Sequence, residues 1–203
     1  MKILSIETTT NFGSIAFLEN GLIKKEVFFE SDDIAGEIVE KLNIISDDFD
    51  YIVVSTGPGS WTGIRIGISF AKGLSAGERN KIYCVDIFDS LFYSIKDTGI
   101  KSLCIVQSRR EEFYFSEFKG RFNYKKGFKM SKIGIKELIQ LVKKNKYFLI
   151  GPGVLNLKEF IDIEKIKTIK FLWYPRASMN GIIAYEKIKR NIKSLSPEPI
   201  YEK

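Results

Sequence analysis

The chain has 203 residues, 44% of them hydrophobic, and is therefore long enough for two compact domains that each own a core. It contains no histidine, which excludes histidine-dependent metal centres and Ser-His-Asp or Cys-His catalysis. The net charge of +7 favours an acidic partner such as nucleic acid, although a lysine-rich genome composition would explain the same excess.

The hydropathy pattern and the two cysteines indicate the cellular location of the protein and the state of its thiols. No apolar run reaches the length of a membrane span, and Met1 leads directly into a strand pattern without a leader. A cytoplasmic location with no membrane partner is therefore expected. Cys84 and Cys104 are isolated in apolar runs, a pattern typical of buried thiols rather than of a metal site or disulfide.

The first half of the chain predicts the element order βββαβαβα. Three strands come first, and the dipeptide Asn20-Gly21 predicts a tight hairpin between the second and the third. A Gly-Pro-Gly loop at residues 57–59 follows the fourth strand, and Ser60 or Thr62 suits the start of the next helix. Asp86 and Asp89 are expected to cap the last helix. The predicted elements are strands Lys2–Ile6, Gly13–Leu18 and Leu22–Phe29, helix Ile34–Asn43, strand Tyr51–Ser55, a helix from about Thr62, strand Lys81–Val85 and helix Ile87–Ile95.

The second half repeats this order, and a second Gly-Pro-Gly loop, at residues 151–153, again follows a fourth strand. The recurrence predicts a duplicated lobe. The predicted elements are strands Ser102–Gln107, Glu112–Lys119 and Arg121–Lys129, helix Ile135–Lys144, strand Tyr147–Ile150, helix Val154–Ile161, strand Lys167–Trp173 and a final helix Arg176–Ile192.

The predicted fold class is α/β, with two tandem actin-like (RNase H-like) lobes built on mixed sheets and, by analogy with sugar kinases and Hsp70, a ligand cleft between them. We predict an N-terminal lobe at residues 1–98 and a C-terminal lobe at residues 99–175. Residues 176–203 are expected to form a closing helix and an extended tail that packs back towards the first lobe.

Small residues recur every four positions in the helix after the first Gly-Pro-Gly loop. Gly63, Gly67 and Ala71 lie on one helical face, beside bulky apolar residues such as Ile64 and Ile68. Because glycine destabilises a helix by about 1 kcal/mol relative to alanine, this ridge predicts close approach of another backbone. That backbone could belong to a partner protein or to the lobe's own sheet.

The turns after the first strand of each lobe are the places where this architecture binds nucleotide phosphates. The first turn offers Glu7, Thr8, Thr9 and Thr10, and the second offers Arg109 beside Arg110. Gln107 and Ser108 stand where a second carboxylate would be needed, so a complete Mg-ATP site is not expected. No cofactor is expected. The candidate vestigial phosphate-binding set consists of Glu7, Thr8, Thr9, Thr10 and Arg109. Residues 57–60 suit either an anion cradle or a structural turn.

Four stretches together resemble the TsaB (YeaZ) family. They are Ile3–Thr10, the glycine-rich run Gly57–Gly67, Arg109–Tyr114 and Tyr174–Ala177, and the resemblance covers nearly the whole chain. The resemblance implies two actin-like lobes and a non-catalytic subunit of the bacterial tRNA threonylcarbamoyladenosine synthase. The chain departs from the family pattern at Gln107-Ser108, where Asp-Ala is usual, and in its short first helix.

The resemblance also implies partners. They are the catalytic paralogue TsaD, the ATPase TsaE, tRNA reached through the complex and, in isolation, a second copy of the chain. The family's pairing face maps onto the helix Ile34–Leu42 and the helix after the glycine-rich loop. The expected interface residues are Gly63, Ile64, Gly67, Ile68, Ala71, Ile34 and Ile38.

Two functions are therefore compared. The leading hypothesis is a non-catalytic scaffold and activator in threonylcarbamoylation of the adenosine next to the anticodon. The alternative is a stand-alone actin-like ATPase, or a carbamoyl or acyl transferase, that uses the cleft with Glu7, Thr8–Thr10 and Arg109. A glycoprotease-like peptidase is poorly supported, because no nucleophile and base can be paired here.

Overall fold

A computed structural model describes residues 1–43, 48–76, 81–125, 127–145, 147–162, 164 and 166–200. The chain divides into two compact units, the first built from Met1–Ser90 and Pro175–Lys203 and the second from Leu91–Tyr174. The first boundary falls before the expected residue 98, because the Phe92 ring already stacks on Phe118 of the second unit, with ring centroids 5.3 Å apart.

The sheet of the first unit has five strands in the order β3-β2-β1-β4-β5. The first three pair antiparallel, as predicted, and Asn20 and Gly21 both take the positive φ that a two-residue hairpin requires. Strand β4 pairs in parallel with β1, and β5 pairs in parallel with β4. The strands are β1 (Lys2–Glu7), β2 (Phe12–Glu19), β3 (Leu22–Glu30), β4 (Tyr51–Ser55) and β5 (Lys81–Val85).

Four of the helices described belong wholly or partly to this unit. The Asp33 carboxylate caps the first by accepting from Gly36 N–H at 3.0 Å, and the Ser60 hydroxyl caps the second by accepting from Gly63 N–H at 3.1 Å. The Asp86 carboxylate accepts from Asp89 N–H at 2.7 Å at the start of the third, as expected of a cap. The helices are α1 (Ile34–Leu42), α2 (Trp61–Ser75), α3 (Ile87–Tyr93) and, last in the chain, α6 (Ala177–Lys189).

The second unit repeats the first six elements of this order. Its four-stranded sheet, ordered β8-β7-β6-β9, combines antiparallel and parallel pairs in the same way. Its own core lies between that sheet and the two helices and includes Leu103, Phe113 and Leu138. The elements are β6 (Ser102–Arg109), β7 (Glu112–Phe118), β8 (Ser131–Gly134), α4 (Ile135–Asn145), β9 (Phe148–Ile150) and α5 (Gly153–Leu157).

Two strands predicted in the second half are wrong. The third strand of this unit lies at Ser131–Gly134, and the described part of 121–129, all of it except Lys126, is not strand. The strand predicted at Lys167–Trp173 reduces to one bridge between Thr168 and Leu149, because residues 170–172 then turn into a 3-10 helix. That turn directs the N–H groups of Leu172 and Trp173 to local carbonyls rather than to β9.

The final helix belongs to the first unit, where Ser14 Oγ accepts from Ala177 N–H at 2.8 Å. The segment after it continues along the same unit: Ser194 Oγ accepts from Cys84 N–H at 2.7 Å, and Ile200 N–H donates to the Thr56 carbonyl at 2.9 Å. Residues 201–203 of the predicted tail lie outside the described residues. Among the helices described, none is both long enough and apolar enough to cross a bilayer.

Candidate functional site

The small-residue ridge of α2 faces its own unit. A Cβ atom at Gly63 would overlap the Thr8 carbonyl oxygen, and one at Gly67 would overlap Thr8 Oγ1. The Thr8 hydroxyl donates to the Gly63 carbonyl at 2.8 Å, which fixes this close approach. The glycines are therefore needed because the turn after β1 crosses directly over α2.

The expected interface residues must be corrected on this evidence. All seven are buried in the core of the first unit, where they pack against the sheet, and none is available to another protein in this conformation. The backbone that lies close to Gly63 therefore belongs to the unit itself and not to a partner protein. The corrected residues are Gly63, Ile64, Gly67, Ile68, Ala71, Ile34 and Ile38.

The opposite side of the same two helices is exposed and partly apolar, and we call it the outer face of α1 and α2. Trp61 and Val39 keep 53% and 54% of their surface accessible, although large apolar side chains are usually buried. The Arg65 guanidinium lies 3.6 Å from the centre of the Trp61 ring. A shallow hollow of about 400 Å³ runs along this face, lined by Ala35, Trp61, Thr62, Arg65, Ile66, Ser69 and Phe70.

The polar side chains of the first turn are engaged inside the unit. One Glu7 oxygen accepts from Thr9 N–H at 2.6 Å and from the Thr9 hydroxyl at 2.5 Å, and the other accepts from the Asn180 amide at 2.7 Å. Burial raises the pKa of the Glu7 carboxyl, and hydrogen bonds from Thr9 and Asn180 oppose the shift. Glu7 therefore ties the turn to α6.

The candidate phosphate-binding set is accordingly reduced. The hydroxyls of Thr8, Thr9 and Thr10 donate to Gly63, Glu7 and Phe12, respectively, so this turn is a structural feature. Arg109 is exposed at the end of β6 in the second unit, and a phosphate-binding role for it stays a prediction. Within the described residues, no three Asp, Glu or Cys side chains are grouped as a metal site would require.

The two Gly-Pro-Gly loops have the same structural role in their units. Gly57 and Gly151 adopt positive φ angles of 98° and 93° where each strand ends. Gly59 and Gly153 lie against backbone: added Cβ atoms would overlap the Thr9 carbonyl in one unit and crowd Ile105 in the other. In the first loop Ser60 N–H also donates to the Thr9 carbonyl, at 2.7 Å. These contacts favour the structural turn over the anion cradle.

Sequence reasoning missed one buried charged cluster. Asp89 does not cap α3; its carboxylate forms an ion pair with Lys187 of α6, and both side chains are at least nine-tenths buried. Burial, and then the neighbouring Asp89 charge, raise the pKa of Asp86 to about 7. The pairing joins residues 98 positions apart, so no local pattern reveals it. The one indication in the sequence was that Lys187 falls at the spacing of the apolar face of α6, where a charged side chain needs a partner.

The arrangement of elements defines the class of protein. In each unit an antiparallel three-strand meander continues into parallel pairing, with two further strands in the first unit and one in the second, as expected of tandem actin-like lobes. YeaZ from Pseudomonas aeruginosa has this fold, with a TM-score of 0.74 at 18% identity over 99% of this chain and all of that one. The ethanolamine utilization protein EutJ from Carboxydothermus hydrogenoformans is a more distant match, with a TM-score of 0.52 at 9% identity over 91% of this chain and 90% of that one. The predicted fold class is confirmed.

Sequence comparison places the chain more narrowly. A family model described as "TsaD: tRNA N6-adenosine threonylcarbamoyltransferase" matches residues 32–182, and the chain belongs to this family, within which it is one of the TsaB (YeaZ) proteins. The tRNA threonylcarbamoyladenosine biosynthesis protein TsaB of Escherichia coli is 26% identical over 127 residues, 58% of this chain and 55% of that protein. The TsaB of Buchnera aphidicola from Acyrthosiphon pisum is 25% identical over 215 residues, 97% of this chain and 94% of that one.

Proposed function

We propose that this protein takes part in the biosynthesis of threonylcarbamoyladenosine in tRNA as a non-catalytic scaffold and activator. The observation that carries the proposal is the outer face of α1 and α2, where Trp61 and Val39 are exposed beside an apolar hollow. Large exposed apolar patches on a folded protein typically mark contact surfaces. The partner we propose for this face is the TsaD-like catalytic paralogue or, in the isolated chain, a second copy.

The names of the relatives support the pathway. The matched curated proteins are named tRNA threonylcarbamoyladenosine biosynthesis protein TsaB, and the family model carries the description of the transferase itself. A shared fold does not transfer an activity, so the role must be argued from the side chains.

The side chains at the first turn support a non-catalytic role. Glu7, the one carboxylate there, is saturated by Thr9 and Asn180, and the neighbouring hydroxyls donate to main-chain or carboxylate oxygens. The sequence also has no histidine to serve as metal ligand or general base. We therefore assign the chemistry to the paralogue, the ATP-dependent step to a TsaE-like ATPase, and contact with tRNA to the assembled complex, in the cytoplasm.

The experiment is a binding assay with the TsaD-like paralogue of the same cell. Ser69→Arg places a bulky charge on the rim of the hollow at an exposed position, so folding is retained. We expect it to weaken the heterodimer, in size exclusion and calorimetry, by about tenfold or more, and to lower threonylcarbamoyladenosine in cellular tRNA. Ser196→Arg makes the same change at an exposed serine of the tail and should leave both unchanged.

The opposite results would reject the proposal. Unaltered pairing of Ser69→Arg would move the contact away from this face. ATP turnover by the isolated chain, lost in Glu7→Ala while the fold is retained, would favour the stand-alone ATPase.

A further inference from the structure

The positive charge of the chain is concentrated in the second unit. The first unit holds 14 basic and 17 acidic residues and the second holds 18 basic and 8 acidic ones, so the +7 of the chain divides into −3 and +10. A lysine-rich genome composition would raise the basic count in both units. This asymmetry therefore points to a polyanion as the ligand of the second unit.

The charge is densest between Glu117 and Glu137. These 19 intervening positions carry seven Lys or Arg residues and no acidic one, and aromatic residues alternate with the basic ones. Arg121, Lys125 and Lys129 are exposed, whereas Lys119 forms an ion pair with Glu117. Interleaved basic and aromatic residues are typical of surfaces that bind single-stranded nucleic acid, because cations contact phosphates and rings stack on bases.

The structure places two of these aromatic rings in a hollow. Phe122 and Tyr124 are half-buried with ring centroids 5.2 Å apart, and Phe122 meets the edge of Tyr93 at 5.6 Å. The hollow has a volume of about 520 Å³ and is also lined by Lys96, Asp97 and Arg121. A pocket of this size suits one or two nucleobases.

Asp97 indicates which part of a nucleotide would enter. Its carboxylate pairs with Lys96 at the hollow, and it would repel a phosphate there. A carboxylate instead accepts hydrogen bonds from the amino groups of cytosine or guanine. An unpaired base therefore fits the hollow, with its phosphates outside, towards Arg121 and Lys125.

From these observations we propose that the hollow and the basic segment around it bind an unpaired stretch of RNA, with a base stacked on Phe122 or Tyr124. The choice of RNA over other polyanions rests on the proposed function. The binding surface itself, in the second unit, is separate from the outer face of α1 and α2.

The test measures binding of unmodified tRNA and of a single-stranded oligoribonucleotide to the isolated full-length chain by fluorescence anisotropy between 50 and 200 mM salt. The triple variant Arg121→Gln/Lys125→Gln/Lys129→Gln should bind about tenfold or more weakly, with a salt-dependence slope smaller by about 2. The matched control, Lys72→Gln/Lys81→Gln/Lys193→Gln, removes three exposed charges of the first unit and should change affinity less than about threefold.

The aromatic variants separate stacking from charge. Tyr124→Leu and Phe122→Leu should each weaken binding about 5- to 30-fold without changing the salt slope, whereas Tyr124→Phe should bind like the wild type. An equal loss in the control triple variant, equally tight binding of a duplex RNA, or binding of anionic lipid vesicles in place of RNA would each overturn the proposal. Failure of the proposed function would appear in the separate measurement of pairing with the paralogue, whereas failure of this proposal would appear in RNA binding.

Discussion

Gly63 shows how a single position reports on packing. No side chain fits at this position, because the Thr8 carbonyl oxygen occupies the space. The turn after β1 cannot shift away without breaking the hydrogen bond from the Thr8 hydroxyl to the Gly63 carbonyl. Gly73, in the same helix, has no atom within 4 Å of an added Cβ. The two glycines therefore differ in cause, although they look alike in the sequence.

We expect Gly63→Ala to lower the free energy of unfolding by about 2–3 kcal/mol, because overpacking outweighs the gain in helix propensity. Gly73→Ala should raise it by about 0.5–1 kcal/mol, because only helix propensity changes. Urea unfolding followed by circular dichroism gives both values. Equal effects at the two positions would contradict the inward orientation of the ridge.

Asp86 gives the first unit a pH-dependent stability. Its pKa of about 7 in the folded protein lies above the ordinary value of 3.8, so the folded state binds the proton more tightly. The stabilisation is complete below about pH 4 and is lost as the pH rises through 7. In Asp86→Asn, which still accepts from Asp89 N–H, the fall in unfolding free energy between pH 4 and pH 8 should shrink by about 4 kcal/mol. Urea titrations across that range measure this, and an unchanged profile would contradict the assignment.

At the scale of elements, α6 is held to the first unit by polar contacts at both ends. Near its start Asn180 donates to Glu7, and near its end Lys187 forms the buried ion pair with Asp89 of α3. Gly181 allows the intervening turn to lie against Leu18 of β2. The helix is thus part of the first unit, although the whole second unit separates it in sequence from β5.

Breaking the ion pair should be costly, because it leaves an uncompensated buried charge. We expect Lys187→Met to destabilise the first unit by about 3–5 kcal/mol at pH 8 and by less at pH 5, because burial raises the pKa of Asp89 and its protonation removes the uncompensated charge. The double variant Lys187→Met/Asp89→Leu should recover most of the loss. Thermal unfolding of the single and double variants at the two pH values provides the measurement. A double variant as unstable as the single one would show that packing rather than charge is responsible.

At the scale of the molecule, the two units have separate cores, and the first is discontinuous in sequence. Removing residues 176–203 should therefore affect only one of them. We expect hydrogen exchange to accelerate in β1 and β2, which contact α6, while the amides of β6 and β7 stay protected as in the full chain. Loss of protection in both units would mean that they fold as one.

Much of the fold followed from local patterns. The Asn20-Gly21 hairpin, the Ser60 cap and the parallel use of two Gly-Pro-Gly loops each depend on residues close in sequence, and the structure confirms them. The strands predicted at 121–129 and 167–173 failed for a related reason. Their apolar alternation is real, but local contacts take up backbone groups that a strand would have offered to the sheet. Leu172 and Trp173 N–H donate to carbonyls of the 3-10 turn, and Lys125 N–H donates to the Asn123 side chain.

The candidate site was less accessible to sequence reasoning. The four-residue spacing correctly indicated that a backbone lies close to Gly63, but spacing does not specify whose backbone it is, and Gly67 lies against the Thr8 side chain instead. The exposed Trp61 was not among the predicted interface residues, and Val39 was covered only as part of the helix Ile34–Leu42, because exposure depends on which side of the helix the sheet covers.

The sequence by itself determined the order of elements in the first unit, the duplication, the absence of histidine and the family resemblance, since these depend on residue type and spacing. The tertiary structure alone decided which face of α2 is buried, that Glu7 is saturated by Thr9 and Asn180, and that Lys187 neutralises Asp89. Those outcomes depend on contacts between residues far apart in the chain, which no local pattern encodes.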